Sequence, residues 1–206
     1  MTIRALVPQV SRNQAIQFFA PGGLVGRLRT IYAGPLLAVA QVYIPFRLFR
    51  TEIGNNANPQ VRLLAVDSVN GSLDLYGFDH SVPGTISLDT RNAVESRLDE
   101  SSARQALAQK LRRMIFLRGF FRIRQLSLQF KPVAELHIPY WVGFRGHKRY
   151  VSICVIDGLR RQVEGPKVRD LVRSWLAAED RTRASADDAV QGLACDQPGA
   201  FAKMSL

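Results

Sequence analysis

The feature that most constrains the fold is a proline-bearing apolar run that occurs twice. VYIPFRLF spans Val42 to Phe49, and LHIPYWVGF spans Leu136 to Phe144. Both runs are rich in β-branched and aromatic residues, which favour strands. Proline cannot donate a hydrogen bond to a sheet, so we expect Pro45 and Pro139 in an edge strand or at a bulge. Four aromatic residues beside them are predicted to pack in the core, with base stacking as the alternative: Tyr43, Phe46, Tyr140 and Trp141.

Other segments recur in the same order after these runs. LLAVDSVNGSLDL (Leu63 to Leu75) matches ICVIDGLRRQVEG (Ile153 to Gly165), which puts Asp67 opposite Asp157. Agreement in order and spacing predicts an internal duplication whose period is too long for a solenoid. The predicted fold class is therefore α+β, with two tandem pseudo-symmetric units, each a helix plus an antiparallel β-meander.

Each unit is predicted to begin with a helix. NQAIQ (Asn13 to Gln17) matches RQALA (Arg104 to Ala108), and the first helix should stop at Pro21-Gly22-Gly23. In the second unit Asp99 or Ser101 is the candidate N-cap. Apolar residues then recur at helical spacing: Ala103, Leu107, Leu111 and Met114.

Turn signals and alternation predict the strands that follow. Asn70-Gly71 indicates a tight turn because such turns need positive φ, and SLDLY (Ser72 to Tyr76) is the predicted returning strand. The predicted organisation is a first repeat at 1–78, a linker at 79–100, a second repeat at 101–177 and a mobile C-terminal tail at 178–206. A short helix is expected at VRDLVRSWL, just before that tail.

The strand and hairpin of the second unit resemble segments of uncharacterised bacterial proteins. The shared pattern is an apolar-x-Pro-aromatic strand followed by a V-D-G hairpin, here from Leu136 to Lys167, with a degenerate copy from Val42 to Tyr76. The chain departs from the pattern at Leu159-Arg160-Arg161, where a glycine-bearing turn is usual. The resemblance implies a small antiparallel hairpin module and carries no known activity.

Basic residues are segregated along the chain, whose formal net charge is +11. Residues 1–51 and 101–134 contain no Asp or Glu, whereas acidic residues outnumber basic ones between Glu52 and Glu100. A basic excess of this size favours an anionic partner such as a lipid surface, an acidic protein face or nucleic acid. The alternative is a solvated basic surface without a specific partner.

The sharpest basic segment is KLRRMIFLRGFFRIRQLSLQFK, Lys110 to Lys131, where arginines interleave with apolar side chains. This mixture suits an anionic surface with some apolar depth. The predicted partner-binding residues come from this segment and, for two arginines, from residues 1–51: Arg27, Arg29, Lys110, Arg112, Arg113, Arg118, Phe120, Phe121, Arg122 and Arg124.

No catalytic, metal or cofactor motif is visible. Cys154 and Cys195 lack the clustered ligands of a zinc or iron–sulfur site, and the three histidines stand in no metal or nucleophile spacing. Asp67 and Asp157 are expected to begin turns and bind backbone N–H groups. A carboxylate pair in an inter-repeat groove is the alternative.

The predicted function is therefore non-catalytic binding, without a cofactor. The leading hypothesis is a peripheral subunit that docks on a membrane-associated protein complex or an anionic membrane face. A nucleic-acid-binding protein is the alternative, and an enzyme with a site in the inter-repeat groove is third. MTIRALVPQVSR has no apolar export signal, and no run reaches the roughly 20 apolar residues of a membrane span. The expected location is cytoplasmic, at the cytoplasmic face of a membrane.

Overall fold

The computed structural model describes residues 1–54, 60–78, 81–117, 127–147 and 150–194, without the side chains of 25, 29, 117, 147 and 183–194. Two compact units are distinguished, Met1–Arg169 and Asp170–Leu206. The predicted α+β class is confirmed, since helices accompany a curled mixed sheet. The predicted boundaries of repeats, linker and tail stay predictions.

The helices are α1 (Arg12–Phe19), α2 (Gly23–Ala33), α3 (Glu100–Leu117) and α4 (Pro166–Ala194). The strands are β1 (Thr2–Leu6), β2 (Leu36–Gly54), β3 (Gln60–Asp67), β4 (Tyr76–Phe78), β5 (Thr85–Asp89), β6 (Ser127–His147) and β7 (Tyr150–Asp157).

Two long strands form the middle of the sheet. In the described residues the strand order is β4-β3-β2-β6-β1-β5, and β7 also pairs with β6. β2 and β6 are antiparallel along almost their whole length, and Ile44 pairs with Ile138 near the centre. β3 pairs with the later part of β2 and β7 with the later part of β6. β1 joins β6 in parallel where Ala5 meets His137.

The expectation that Pro45 and Pro139 mark an edge strand or a bulge is wrong. Both lie in the central β2–β6 ladder, and its irregularities are elsewhere, at Leu36/Ala38 and Leu48/Phe49. Each proline carbonyl instead accepts an outer hydrogen bond, from Ser68 N at 2.9 Å for Pro45 and from Gly158 N at 2.9 Å for Pro139. The ladder tolerates each proline because its outer neighbour changes from one segment to another at that point.

The core forms on both faces of this ladder. The four aromatic residues predicted to be core are buried, from 1 to 6% exposed, which confirms the packing interpretation. α1 contributes Ala15 and Phe19 to a cluster with Trp141 and Ile156. α3 contributes three residues to another cluster, completed by Phe49, Leu64 and Val66: Ala103, Leu107 and Leu111.

Asp67 and Asp157 organise matching turns, as predicted. The Asp67 carboxylate accepts hydrogen bonds from the N–H groups of Asn70, Gly71 and Leu73 at 2.8 to 3.0 Å. The Asp157 carboxylate accepts them from Leu159 and Arg160 at 2.7 and 2.8 Å. These bonds supply the hydrogen-bond partners that a buried carboxylate needs once it has lost contact with water.

Several elements differ from the sequence prediction. α2, β1 and β5 were not predicted, and β5 lies inside the segment assigned as a linker. Of SLDLY only Tyr76 enters a strand. α4 continues to Ala194, well beyond the short helix expected there. Residues 195–206 of the predicted tail lie outside the described residues.

Candidate docking surface

Helix α2 is fixed at its start by a close backbone approach. Gly22 is its N-cap, and no side chain among the described residues caps the helix. A Cβ at Gly26 would lie 1.8 Å from the carbonyl oxygen of Pro21, so only glycine lets the chain turn this tightly from α1 into α2. Within the helix, Thr30 Oγ1 donates to the Gly26 carbonyl oxygen one turn earlier, at 2.9 Å.

The end of α2 is tied to the sheet by a buried arginine. Arg145 of β6 is 3% exposed and donates to the carbonyl oxygens of Gly34 at 3.0 Å and Phe19 at 2.9 Å. These carbonyls end α2 and α1, where backbone acceptors lack helical partners and a cation is favoured. Gly34 has φ 79°, and a Cβ there would lie 2.6 Å from Gly146 Cα. The helix is thus anchored by its C-terminus.

An apolar stripe of α2 faces away from the protein core. Leu24, Leu28 and Ile31 follow i, i+4, i+7 spacing, the pattern that normally packs into a core. Here they are 76, 48 and 73% exposed, and the adjacent Tyr32 is 88% exposed. A contiguous exposed apolar surface of this kind marks an interaction site. We call these four side chains, with the exposed Arg27, the α2 surface.

Charge on the α2 surface is exclusively positive. Arg27 is exposed beside the stripe and Arg29 follows two positions later in the same helix. Residues 1–51 contain no acidic side chain, so neither α1 nor α2 carries a carboxylate that would repel an anion. The surface therefore combines aliphatic side chains with cationic charge, as interfacial amphipathic helices do.

Exposed apolar side chains continue beside the end of α2. Leu37 at the start of β2 is 55% exposed, and Tyr150 and Val151 at the start of β7 are 84 and 57% exposed. Gly146, which contacts Gly34, also lies against the backbone of Tyr150. The end of α2 and the β6–β7 hairpin therefore lie next to each other at one end of the sheet.

The predicted partner-binding residues fall into three groups. Arg27, Arg112 and Arg113 are exposed, the latter two late in α3 beside Met114, which is 42% exposed. Lys110 is instead half-buried and donates to the carbonyl oxygen of Leu73, and burial lowers the pKa of its ammonium group. Those outside the described residues are Arg118, Phe120, Phe121, Arg122 and Arg124. The side chain of Arg29 is also undescribed.

Sequence reasoning missed the apolar half of the surface and its anchor. The spacing of Leu24, Leu28 and Ile31 was available as a signal, but periodicity alone indicates a buried face. Nothing in the sequence indicated the role of Arg145, because a single arginine in a strand is expected to be exposed to solvent. Its role depends on two helix ends that come together only in the folded chain.

The buried polar groups form a structural network. The Tyr76 hydroxyl donates to Asp157 Oδ2 and lies 3.2 Å from the Tyr140 hydroxyl. Burial is the main cause that raises the pKa of both phenols, so they remain neutral. The next cause is Tyr140 and then Asp157 for the pKa of Tyr76, and Asp157 for that of Tyr140. The Arg160 guanidinium stacks 3.8 Å above the centre of the Tyr76 ring. The Asp157 carboxylate therefore accepts hydrogen bonds from the Tyr76 hydroxyl and from the N–H groups of its own turn. These bonds support a structural role for Asp157.

The described residues offer no grouping of three or more His, Cys, Asp or Glu that would hold a metal ion. His137 is 6% exposed in β6, and burial lowers the pKa of its imidazole. Within the described residues no helix combines the length and apolar composition that crossing a bilayer requires.

Comparisons of the sequence with protein-family models and curated proteins, and of the fold with solved structures, gave no match. The resemblance to bacterial hairpin segments therefore stays a prediction.

Proposed function

We propose that this is a non-catalytic binding protein that attaches reversibly to the anionic face of a membrane, with α2 lying in the interface. The observation that carries the proposal is the exposed apolar stripe of α2 beside Arg27. Aliphatic side chains insert among lipid chains, whereas nucleic-acid binding relies on aromatic stacking and phosphate contacts. Leu24, Leu28 and Ile31 therefore favour lipid over nucleic acid.

The expected strength of attachment follows from exposure and charge. Full burial of a Leu or Ile side chain stabilises by about 1.5–3 kcal/mol, and these three are exposed by about two-thirds on average. Their insertion contributes roughly 4 kcal/mol, and Arg27 adds about 1 kcal/mol near anionic lipid. Such attachment is reversible and salt-sensitive. The anionic face of a membrane-associated protein complex is the alternative partner.

We also propose that residues 1–169 contain two homologous halves related by a pseudo-twofold axis between Ile44 and Ile138. Antiparallel pairing of these two residues, which occupy the same place in the two Ile-Pro-aromatic runs, supports this axis. The register supports it as well, since Phe46 pairs with Asp67 in one half and Tyr140 with Asp157 in the other.

The outer contacts agree with the same axis. Tyr43 forms a parallel bridge with Ala93, and His137 pairs in parallel with Ala5. Asp99 caps α3 through Ser102 N, as Ser11 caps α1 through Gln14 N. By this symmetry Ser11 corresponds to Asp99. The alignment of the two halves therefore differs by three positions from the sequence match of Asn13–Gln17 with Arg104–Ala108.

The halves exchange their helices in this arrangement. α1 packs on Trp141 and Ile156 of the second half, while α3 packs on Phe49 and Leu64 of the first. Residues 1–51 and 101–134, the two segments without Asp or Glu, contain α1 and nearly all of α3 respectively. The proposed attachment surface therefore has a counterpart near the end of α3, where Arg112, Arg113 and Met114 are exposed.

Vesicle sedimentation tests the proposal. The protein should sediment with vesicles of mixed phosphatidylcholine and phosphatidylglycerol, bind pure phosphatidylcholine much more weakly, and dissociate at high salt. A Leu24→Ser/Ile31→Ser variant should bind the anionic vesicles about 100-fold more weakly. The matched control is Val61→Ser/Ile86→Ser, which removes apolar residues that are 45 and 40% exposed on strands, and it should bind normally.

Three results would contradict the proposal. One is equal sedimentation with neutral and anionic vesicles, and another is equal loss of binding in both double variants. The third is tight, salt-dependent binding to single-stranded oligonucleotides together with no binding to vesicles, which would favour the nucleic-acid alternative.

A further inference from the structure

A groove separates α1 from the turn that follows β7. It encloses about 350 Å³, which is within the range of small-ligand sites. Its lining residues come from α1, from the segment before it and from the turn: Val10, Gln14, Gln17, Phe18 and Arg161. The groove lies within the first compact unit and is formed by elements other than α2.

The backbone of Arg161 is unusual. It is the one non-glycine residue with positive φ in the described part of the chain, at 58°. In this left-handed region a side chain crowds the following carbonyl oxygen, so glycine is usual. The corresponding position in the turn organised by Asp67 is Gly71, with φ 68°. The Asp157 turn thus carries a long cationic side chain where its counterpart has none.

The two turns also differ in how a helix meets them. A Cβ at Gly71 would lie 2.9 Å from Ala106 Cβ and 3.5 Å from Leu98 Cδ1, so α3 rests directly on that turn. With Ser11 opposite Asp99, Phe18 takes the place of Ala106 and Val10 that of Leu98. Phe18 is much larger than Ala106, and the groove lies between α1 and the Asp157 turn, lined by Phe18, Val10 and Arg161.

Hydrogen-bond donors dominate the polar lining. Arg161 Nη2 donates to the carbonyl oxygen of Gln9 at 3.2 Å. In the described residues no carboxylate pairs with this guanidinium, which has five N–H donors in all. Gln14 Oε1 accepts from Ser11 N at 2.9 Å, which leaves the amide N–H groups of Gln14 as donors. Val10 and Phe18 supply apolar surface beside these groups.

We propose that this groove binds a small organic carboxylate that carries an apolar or aromatic group. A guanidinium binds a carboxylate through two parallel hydrogen bonds, and the apolar group would lie against Phe18 and Val10. A free carboxylic acid and the C-terminal residue of a peptide share this chemistry. The proposal does not depend on membrane attachment, because the groove includes no residue of the α2 surface.

An NMR titration of the full chain tests the proposal with two probes. Phenylacetate represents the free acid and N-acetylphenylalanine represents a peptide C-terminus. At least one should cause saturable shifts at Gln14, Gln17 and Arg161 at millimolar concentration. The tighter-binding probe identifies the source. N-acetylphenylalanine amide is the matched neutral control, and it should cause no saturable shift.

Arg161→Gly separates binding from a structural role. The variant should lose affinity for the probe at least tenfold, yet its melting temperature should be unchanged or higher, because glycine suits the backbone. Arg161→Lys keeps the positive charge but lacks the planar guanidinium that binds a carboxylate through two hydrogen bonds, so it should bind the probe with intermediate affinity. The proposal is overturned if neither acid causes saturable shifts, if the amide binds equally, or if Arg161→Gly binds normally.

Discussion

Replacing Arg145 with methionine should detach the ends of α1 and α2 from the sheet. Methionine retains the apolar stem of the side chain but removes both hydrogen bonds, to Gly34 O at 3.0 Å and Phe19 O at 2.9 Å. A buried acceptor left without a partner costs about 1–3 kcal/mol. Two of them cost roughly 2–6 kcal/mol, and no longer burying a guanidinium recovers part of that cost. We expect a net loss of about 3 kcal/mol in the free energy of unfolding.

Urea denaturation followed by circular dichroism measures this loss, with Arg62→Met as the matched control. Arg62 is an exposed arginine in β3, so the control should change the free energy of unfolding by less than about 0.5 kcal/mol. The melting temperature of Arg145→Met should be about 6–12 °C lower, since each kcal/mol of unfolding free energy shifts the melting temperature by about 2–4 °C at this chain length. Equal stability of the two variants would refute the anchoring role of Arg145.

Two further predictions concern buried polar groups. Burial lowers the pKa of His137 in the folded chain. Below about pH 6.5 this imidazole is therefore protonated in the unfolded state while it is still neutral in the folded state. Stability should therefore fall with decreasing pH by up to about 1.4 kcal/mol per pH unit. His137→Gln should remove that contribution, and identical pH profiles of the two proteins would exclude it. Tyr76→Phe removes the hydroxyl that donates to buried Asp157 and should cost about 2–3 kcal/mol by urea denaturation. Tyr150→Phe, at a residue that is 84% exposed, should cost almost nothing, and equal losses would contradict the role of the network.

Local chemistry made the aspartate turns predictable from the sequence. Asp67 and Asp157 each precede a turn, and a short carboxylate side chain reaches the next few N–H groups without help from distant residues. The core positions of Tyr140 and Trp141 followed from the composition of their strand in the same way. These inferences needed only neighbouring residues.

The prolines and the small elements depended on tertiary contacts. Pro45 is acceptable in a central strand because β3 ends beside it and a different segment takes over, which no local rule anticipates. β1 and β5 are five residues each and are held by pairing with each other, so their own composition gave little signal.

The docking surface was only half accessible from the sequence. Clustering of arginine and the absence of acidic residues were visible, and they identified the zone that contains Arg27. Exposure of Leu24, Leu28 and Ile31 was not visible, because the same spacing serves a buried face. In the folded chain α2 is held at its end through Arg145 and Gly34, and its stripe is exposed.

The most direct test of the proposed function measures whether α2 enters the lipid interface. A polarity-sensitive fluorophore would be attached to Leu28→Cys, in a chain whose Cys154 and Cys195 are replaced by alanine, and compared with the same fluorophore at Val61→Cys. With anionic vesicles, the account predicts blue-shifted emission at position 28, reversed by high salt, and unchanged emission at position 61. Unchanged emission at position 28 while the protein sediments with the vesicles would contradict it.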